Sequence, residues 1–507
     1  MSDDRTPILV GTAQFLQRHS DPREGLNPLE MLERMAREAA AAAGAGEALL
    51  RGLDTVAILN VAGWKANNPA RLVAEKLGAK PATELTSELG GQIGVTMANL
   101  VAQKIIAGRT RTALVAGCNN LRTLIHAGKA RVDPGWPMGG EGKPEMVGSV
   151  APGSSELEGR YGMVMPPDVY PIFENAFRAA RGLTIDAHRE RMGQLFSGFT
   201  KVAAANPHAW FPVERSPVEL TTPAPDNRMI AFPYTKYLNA VLNTDQAAGF
   251  FMMSVAAARE LGIAEREWIY WWGGAESQEE AWWPSERPDF ARCPSMLDAQ
   301  RSALVNAGLE GGTDALQHFD FYSCFPIAVE VASEQLGLAI DDPRGFTVTG
   351  GLPYAGGPAS AYTLHSIASM ARKLRDNPGD TGLVTGNGWY LTKHAASVWS
   401  STPHPRGKPA HGLLPAAERP SLRLETAPRQ VEEGATGQAQ IEAYTVLYGR
   451  DGAPARGIVL GSTAAGKRFL ANTPADSTLL EAFVASEQVG AKGMLSQKDG
   501  LTIFSPA

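Results

Sequence analysis

The chain has 507 residues, 44% of them hydrophobic, and a net charge of -6, which allows large cores in two to four domains. It has no long Lys/Arg cluster, so the electrostatic footprint of a nucleic-acid binder is missing. Cys118, Cys293 and Cys324 are too few and too scattered for a disulfide framework or a paired-cysteine zinc site, and no apolar run is long enough to span a bilayer. The expectation is a cytoplasmic protein with reduced thiols, no membrane span and no metal.

Apolar segments of strand length at Pro7 to Gly11, Val56 to Leu59 and Thr112 to Ala116 alternate with helical patterns, which predicts an α/β architecture with buried strands. The clearest helix starts after Asn27, a capping residue followed by Pro28 and, three residues on, Glu30, and it stops near Gly44. Leu29, Leu32, Met35, Ala36 and Ala39 form its buried stripe. A second helical pattern runs from about Gln92 to Ile106 and ends at Gly108, just ahead of the strand at Thr112.

From Leu121 to Tyr237 the pattern loosens and Gly and Pro become frequent, apart from a strong helix from about Asp186 to Ala204. Residues 121–240 therefore read as a loop and helical insertion. A second αβ series follows in 241–402, with Trp268 to Trp272, His318 to Tyr322, Ile327 to Leu336 and Leu383 to Thr385 as its elements. Two similar halves fit this order, although no sequence repeat is visible. Pro403, Pro405, Pro409, Pro415 and Pro420 mark 403–420 as an extended linker. Beyond it, strand character at Ile441 to Tyr448, a hairpin signal at Asp451-Gly452 and further strands at Gly457 to Leu460 and Lys467 to Leu470 predict a small β-rich domain over 421–507.

Several motifs in order carry a resemblance: Thr6 to Gly11, Ile105 to Gly108, Ala116-Gly117-Cys118, Tyr322-Ser323-Cys324-Phe325, Gly350 to Pro353, Gly356-Gly357-Pro358 and Gly386-Asn387-Gly388. With them, the first 400 residues resemble the thiolase superfamily, particularly acetyl-CoA acetyltransferase-like proteins related to sterol-carrier-protein thiolases. The tail resembles the additional C-terminal β domain of one such group, through Tyr444-Thr445-Val446 and Arg468-Phe469-Leu470. The resemblance implies a duplicated thiolase fold, a five-layer αβαβα sandwich made of 1–120 and 241–402, with an OB-like tail. It also implies an active site where loops of both halves meet, acyl-CoA as the partner, and a coenzyme A thioester as substrate or ligand with no permanently bound cofactor. A homodimer is the common assembly of such proteins; the extra domain could cover that surface and leave a monomer.

In active thiolases a cysteine ahead of the first-half helix is acylated, a GHP histidine activates it and a CxG cysteine moves protons. Motif spacing puts Gly91, Gly357 and Gly386 at these three positions, and glycine cannot form a thioester. Tyr322 takes the polar position of the family's NEAF or HDCF segment, as in thiolase-like aldolases that work with an OB-fold partner. The catalytic candidates are therefore Tyr322, Asn387 as a hydrogen-bond donor, and His365 and His394, which follow the two glycine motifs. Gly91, Cys324, Gly356, Gly357, Pro358 and Gly388 are candidates for substrate contact, while Lys236 and arginines near the insertion could meet CoA phosphates. Each has a plainer reading: a strand-end tyrosine, packed histidines, a turn-forming asparagine, a small buried thiol. Cys293 has no base visible in sequence. The expected chemistry is acyl transfer or carbon–carbon bond chemistry beside a thioester without an acyl-cysteine. The alternatives are a retro-aldol lyase on β-hydroxyacyl-CoA that uses Tyr322, and a catalytically silent acyl-CoA-binding scaffold; whether the chain is an enzyme stays open.

Overall fold

A computed structural model describes residues 4–419 and 425–507; residues 1–3 and 420–424, which include Pro420 and the first four residues of the expected tail domain, lie outside them. The helix expected after Asn27 spans Pro28–Ala42, with the Asn27 side chain accepting from the Glu30 N–H, the Glu30 carboxylate accepting from Asn27 N–H, and Leu29, Leu32, Met35, Ala36 and Ala39 buried. These reciprocal bonds satisfy amides that the helix itself cannot pair.

The duplication that the sequence hides is explicit in the strand order. In the first half, Thr55–Ile58 runs parallel to Thr112–Asn120, which pairs antiparallel with Asp245–Ser254, which pairs antiparallel with Pro7–Leu16. In the second half, His318–Asp320, Thr381–Gly388, Lys393–Ser400 and Ile269–Gln278 repeat the same order and the same directions. Antiparallel pairing of Ile8 with Tyr270 and of Leu9 with Ile269 joins the two sheets. Helices Ile93–Ile106 and Tyr362–Asp376 pack between the sheets in one apolar cluster, which includes Met97, Val101, Ile105, Leu364, Ile367, Met370, Phe250, Trp271 and Trp399. Further helices cover the outer faces, so the layers are α, β, α, β and α.

This topology moves one expected boundary. Asp245–Ser254 lies between two first-half strands, so the first half closes only after the insertion, and the second half starts at Ile269–Gln278 rather than at 241. An apolar strand carries no mark of the sheet it will join, and only the return of the chain decides it. Within the proline-rich stretch expected to be an extended linker, Ala410–His411 pairs with Gly273 and Gly274 of Ile269–Gln278.

The tail is a closed five-stranded barrel. Gly437–Tyr448 pairs with both Pro454–Thr463 and Lys492–Lys498. Arg468–Asn472 and Leu501–Pro506 complete the ring, and the helix Ser477–Ala485 sits between the third and fourth strands. This order, with its one parallel pair, is that of an OB barrel. The insertion adds Met229–Ala231 to its sheet through Ala231 and Leu447. The Tyr161 carbonyl accepts from Asn472 Nδ2 at 3.0 Å, and its hydroxyl accepts from the Thr502 N–H at 3.0 Å. The barrel is thereby anchored to the insertion.

Candidate active site

Gly91 lies in the turn ahead of the first central helix, and Tyr322 follows the short strand His318–Asp320 of the other half. The Tyr322 N–H donates to Thr385 Oγ1 at 3.1 Å, which fixes the loop to the neighbouring strand, and the ring meets Tyr362 edge to face at 5.5 Å. Gly91, Tyr322, Cys324 and Asn387 converge on one cavity of about 180 Å³. Its other walls include Leu89, Leu242, Leu352, Phe325, Trp389, Tyr390 and, from the insertion, Pro166, Pro167 and Tyr170. The lining is mostly apolar with a few convergent polar groups, as ligand cavities usually are.

The three glycines at the expected catalytic positions are held to glycine differently. A Cβ on Gly91 would overlap the hydroxyl and Cζ of Tyr322, and one on Gly386 would come within 2.5 Å of Gln92 Cα. Tyr322 thus fills the space that a side chain at 91 would need. At Gly357 the nearest atom to an added Cβ is the Val241 carbonyl oxygen at 3.2 Å, so that position is tight but not filled.

Asn387 Nδ2 donates to the Tyr170 hydroxyl at 2.8 Å, and Tyr170 in turn donates to the Trp389 carbonyl at 2.7 Å. Tyr170 also stacks on Phe325 at 4.4 Å. Burial pushes the phenols of Tyr322 and Tyr170 well above the ordinary tyrosine range, so both are proton donors at neutral pH and neither is a base. Burial likewise pushes the Cys324 thiol up to about 12, which removes the thiolate that nucleophilic attack requires.

Two catalytic candidates fall away from the cavity. His365 is buried with Nδ1 2.9 Å from Gln14 Oε1, and burial lowers it to about 3. His394 is buried behind the site with Nε2 3.1 Å from Cys293 Sγ, and burial lowers it to about 4. Both lie on elements whose faces turn into packed protein, which spacing along the chain cannot show. Gly356, Gly357, Pro358 and Gly388 also stay outside the lining. Gly357 N–H donates to the Val241 carbonyl at 2.9 Å, and a Cβ on Gly356 or Gly388 would overlap Gln246 or Gln92 respectively. They shape the wall from behind.

Cys293 does have a base beside it, contrary to its sequence reading: His394 and Glu279 Oε1, at 3.1 and 3.2 Å, surround its thiol. Among the described residues, Glu279, Cys293 and His394 form one of two clusters with metal-type donor atoms, and Glu174, His188 and Glu330 form the other. Glu279 already accepts from Ser295 N–H and Oγ at 2.9 and 2.5 Å and faces Arg287 at 3.9 Å. His188 Nε2 already bonds Glu174 Oε1 at 2.5 Å. Both clusters are internally hydrogen-bonded.

Sequence reasoning missed Tyr170, which comes from the irregular insertion, and the buried pair of Lys393 Nζ and Glu88 Oε2 at 2.6 Å behind Gly388. Glu88 Oε1 also accepts from Gln92 Nε2 at 2.7 Å, tying the glycine turn in place. A signal for Glu88 existed in its position three residues before Gly91; nothing local marked Tyr170.

A second pocket, of about 510 Å³, gathers Arg18, Arg122, Arg215 and Lys236 with Trp210, Phe211 and Tyr237. Arg18 lies 4.3 Å over the Trp210 ring and Arg215 lies 4.0 Å over Tyr237; burial and then Arg122 lower the Arg18 guanidinium. None of these four cations is in an ion pair among the described residues. The pocket borders the cavity: Ala240, Leu242 and Leu352 line the cavity, while Val241, Asn243, Pro353 and Tyr354 line the basic pocket.

Comparison with known proteins supports this architecture. A family profile described as the thiolase-like protein type 1 additional C-terminal domain matches residues 421–500. The crystal structure of a monomeric SCP2-thiolase-like protein type 1 from Mycobacterium smegmatis is 32% identical, covers 100% of both chains and superposes with a TM-score of 0.82. An acetyl-CoA acetyltransferase from Syntrophomonas wolfei matches at 16% identity and a TM-score of 0.56, covering 78% of this chain and 99% of its own. The dimeric peroxisomal thiolase of Saccharomyces cerevisiae matches at 14% and 0.54, covering 79% and 98%. At those identities the last two share the fold. No curated protein sequence matches the chain.

Proposed function

The chain belongs to the SCP2-thiolase-like protein type 1 family, and from that premise we propose that it binds an acyl-CoA thioester and acts beside the thioester without an acyl-cysteine. The basic pocket would take the nucleotide phosphates, and the apolar cavity would take the acyl end. The observation that carries this reading is the substitution of one group for another at a single point: Tyr322 occupies the space of a side chain at Gly91. A hydrogen-bond donor thus replaces a nucleophile. A phenol held in its protonated form, with the Tyr170–Asn387 pair beside it, suits a developing enolate or thioester oxygen, where a donor acts by electrostatic stabilisation. The same groups would stabilise the enolate formed on carbon–carbon cleavage of a β-hydroxyacyl-CoA, with solvent water taking the β-hydroxyl proton as the aldehyde or ketone leaves, and Tyr322 giving its proton to the enolate carbon and regaining one from that water. Cytoplasmic location and a role in lipid metabolism belong to this proposal.

The test is mass spectrometry of the intact protein and of small-molecule products after incubation with acyl-CoA and β-hydroxyacyl-CoA thioesters. Products without a protein adduct are expected. An aldehyde or ketone with a shorter acyl-CoA would assign the lyase, and bound, unchanged ligand would assign a silent binder. An acyl adduct on Cys324 would overturn the mechanism.

A further inference from the structure

Behind the cavity lies a void of about 10 Å³, lined by Tyr322, Asn387, Gln300, His394 and apolar neighbours including Met296. Four buried polar atoms of these lining residues have no protein partner: Asn387 Oδ1, His394 Nδ1, and both amide atoms of Gln300. Gln300 is 1% exposed and His394 2%, and His394 stands directly opposite Asn387 across the strand pair. A space of this size is about one water molecule, and buried polar groups rarely go unpaired.

The donors and acceptors can be assigned. Tyr170 gives its proton to the Trp389 carbonyl, so its oxygen must accept from Asn387 Nδ2. That orientation turns Asn387 Oδ1, an acceptor, away from Tyr170. The Cys293 thiol has the Glu279 carboxylate at 3.2 Å and the Leu391 carbonyl at 3.6 Å as acceptors; with its proton on either, Sγ accepts from His394 Nε2–H, and in that tautomer His394 Nδ1 is also an acceptor. One water can donate to both acceptors while accepting from Gln300 Nε2, which pairs three of the four atoms and leaves Gln300 Oε1 outside the network.

We propose that Gln300 and His394 are positioning residues, which hold the Asn387 amide in its cavity orientation through one buried water shared among the three side chains. The chain Tyr170–Asn387–water–His394–Cys293–Glu279 then runs unbroken from the cavity wall to a buried carboxylate. Loss of Gln300 removes the donor to the water and frees Asn387 to turn. The inference needs Asn387 at the cavity but no bound thioester, so it stands or falls separately from the functional reading above.

The first test is a crystal structure of the whole protein at a resolution that shows ordered solvent. A single water within hydrogen-bond distance of Asn387 Oδ1, His394 Nδ1 and the Gln300 amide is expected; a dry void, or Asn387 with its oxygen on Tyr170, would overturn the proposal. The second uses Gln300→Leu, and Gln300→Met should that variant fail to fold, with histidine-selective nitrogen NMR. The expected result is a shift of the His394 ring-nitrogen resonances with those of His318, on the sheet edge, unmoved, together with loss of the water and rotation of Asn387 in the variant crystal. An unmoved His394 resonance with Asn387 still on Tyr170 counts against any positioning role.

Discussion

Tyr322 stands where a side chain on Gly91 would begin, so two residues from opposite halves share one position between them. The relationship is mutual: the phenol sits there because residue 91 has no Cβ, and residue 91 can gain one only if the phenol leaves.

Gly91→Ala is therefore expected to lower stability by about 1–3 kcal/mol, the usual cost of overpacking. Adding Tyr322→Ala should recover part of that loss, because the second change vacates the space. Thermal unfolding of the two single variants and the double variant reads the coupling; strict additivity would mean that the residues do not compete.

For Tyr322→Phe the ring contact with Tyr362 stays while the donor goes. Ligand affinity should change little, and turnover of whichever thioester proves to be a substrate should fall by about 10²–10³, the effect of removing one oxyanion donor. Unchanged turnover in steady-state assays would take Tyr322 out of the chemistry.

The basic pocket can be tested apart from the cavity. Arg215→Ala and Lys236→Ala should each weaken acetyl-CoA binding by about 10- to 100-fold, since hydrogen bonds to charged groups contribute about 1.5–3 kcal/mol. Titration calorimetry with S-acetylpantetheine, which lacks the nucleotide phosphates, should show no such loss. Equal losses for both ligands would place the nucleotide elsewhere.

His365 ties stability to pH. Burial lowers it from 6.5 to about 3, so below about pH 6.5 the unfolded chain takes up a proton that the folded protein refuses. Its contribution is fully present above 6.5 and is lost as pH falls toward 3, at about 1.4 kcal/mol per unit. Urea unfolding of wild type and His365→Phe over this range should show the wild type losing stability more steeply by that amount. Parallel curves would mean that the folded protein accepts the proton.

Glu145–Val147, from the insertion, pairs with Thr83–Ser87 and covers the outer edge of the first-half sheet. Short, charged edge strands discourage further pairing, and Glu145 is exposed on this one. A monomer is the expected outcome, with light scattering reading the chain mass of 54.0 kDa; twice that mass would show that another surface carries a dimer.

Local physics wrote much of this protein openly in its sequence. The Asn27 cap, the Gly108 stop, the Asp451-Gly452 turn and the apolar strands all depend on residues within a few positions of one another, and the structure places them as read. Tertiary packing alone decided the rest. Whether Asp245–Ser254 joined the first sheet or the second, whether His365 and His394 reached the cavity, and that Tyr170 and Tyr322 did, depends on which faces meet across the central helices and the insertion. Such contacts join segments far apart in the chain, where side-chain volume and burial set the partner and no periodicity or spacing records it.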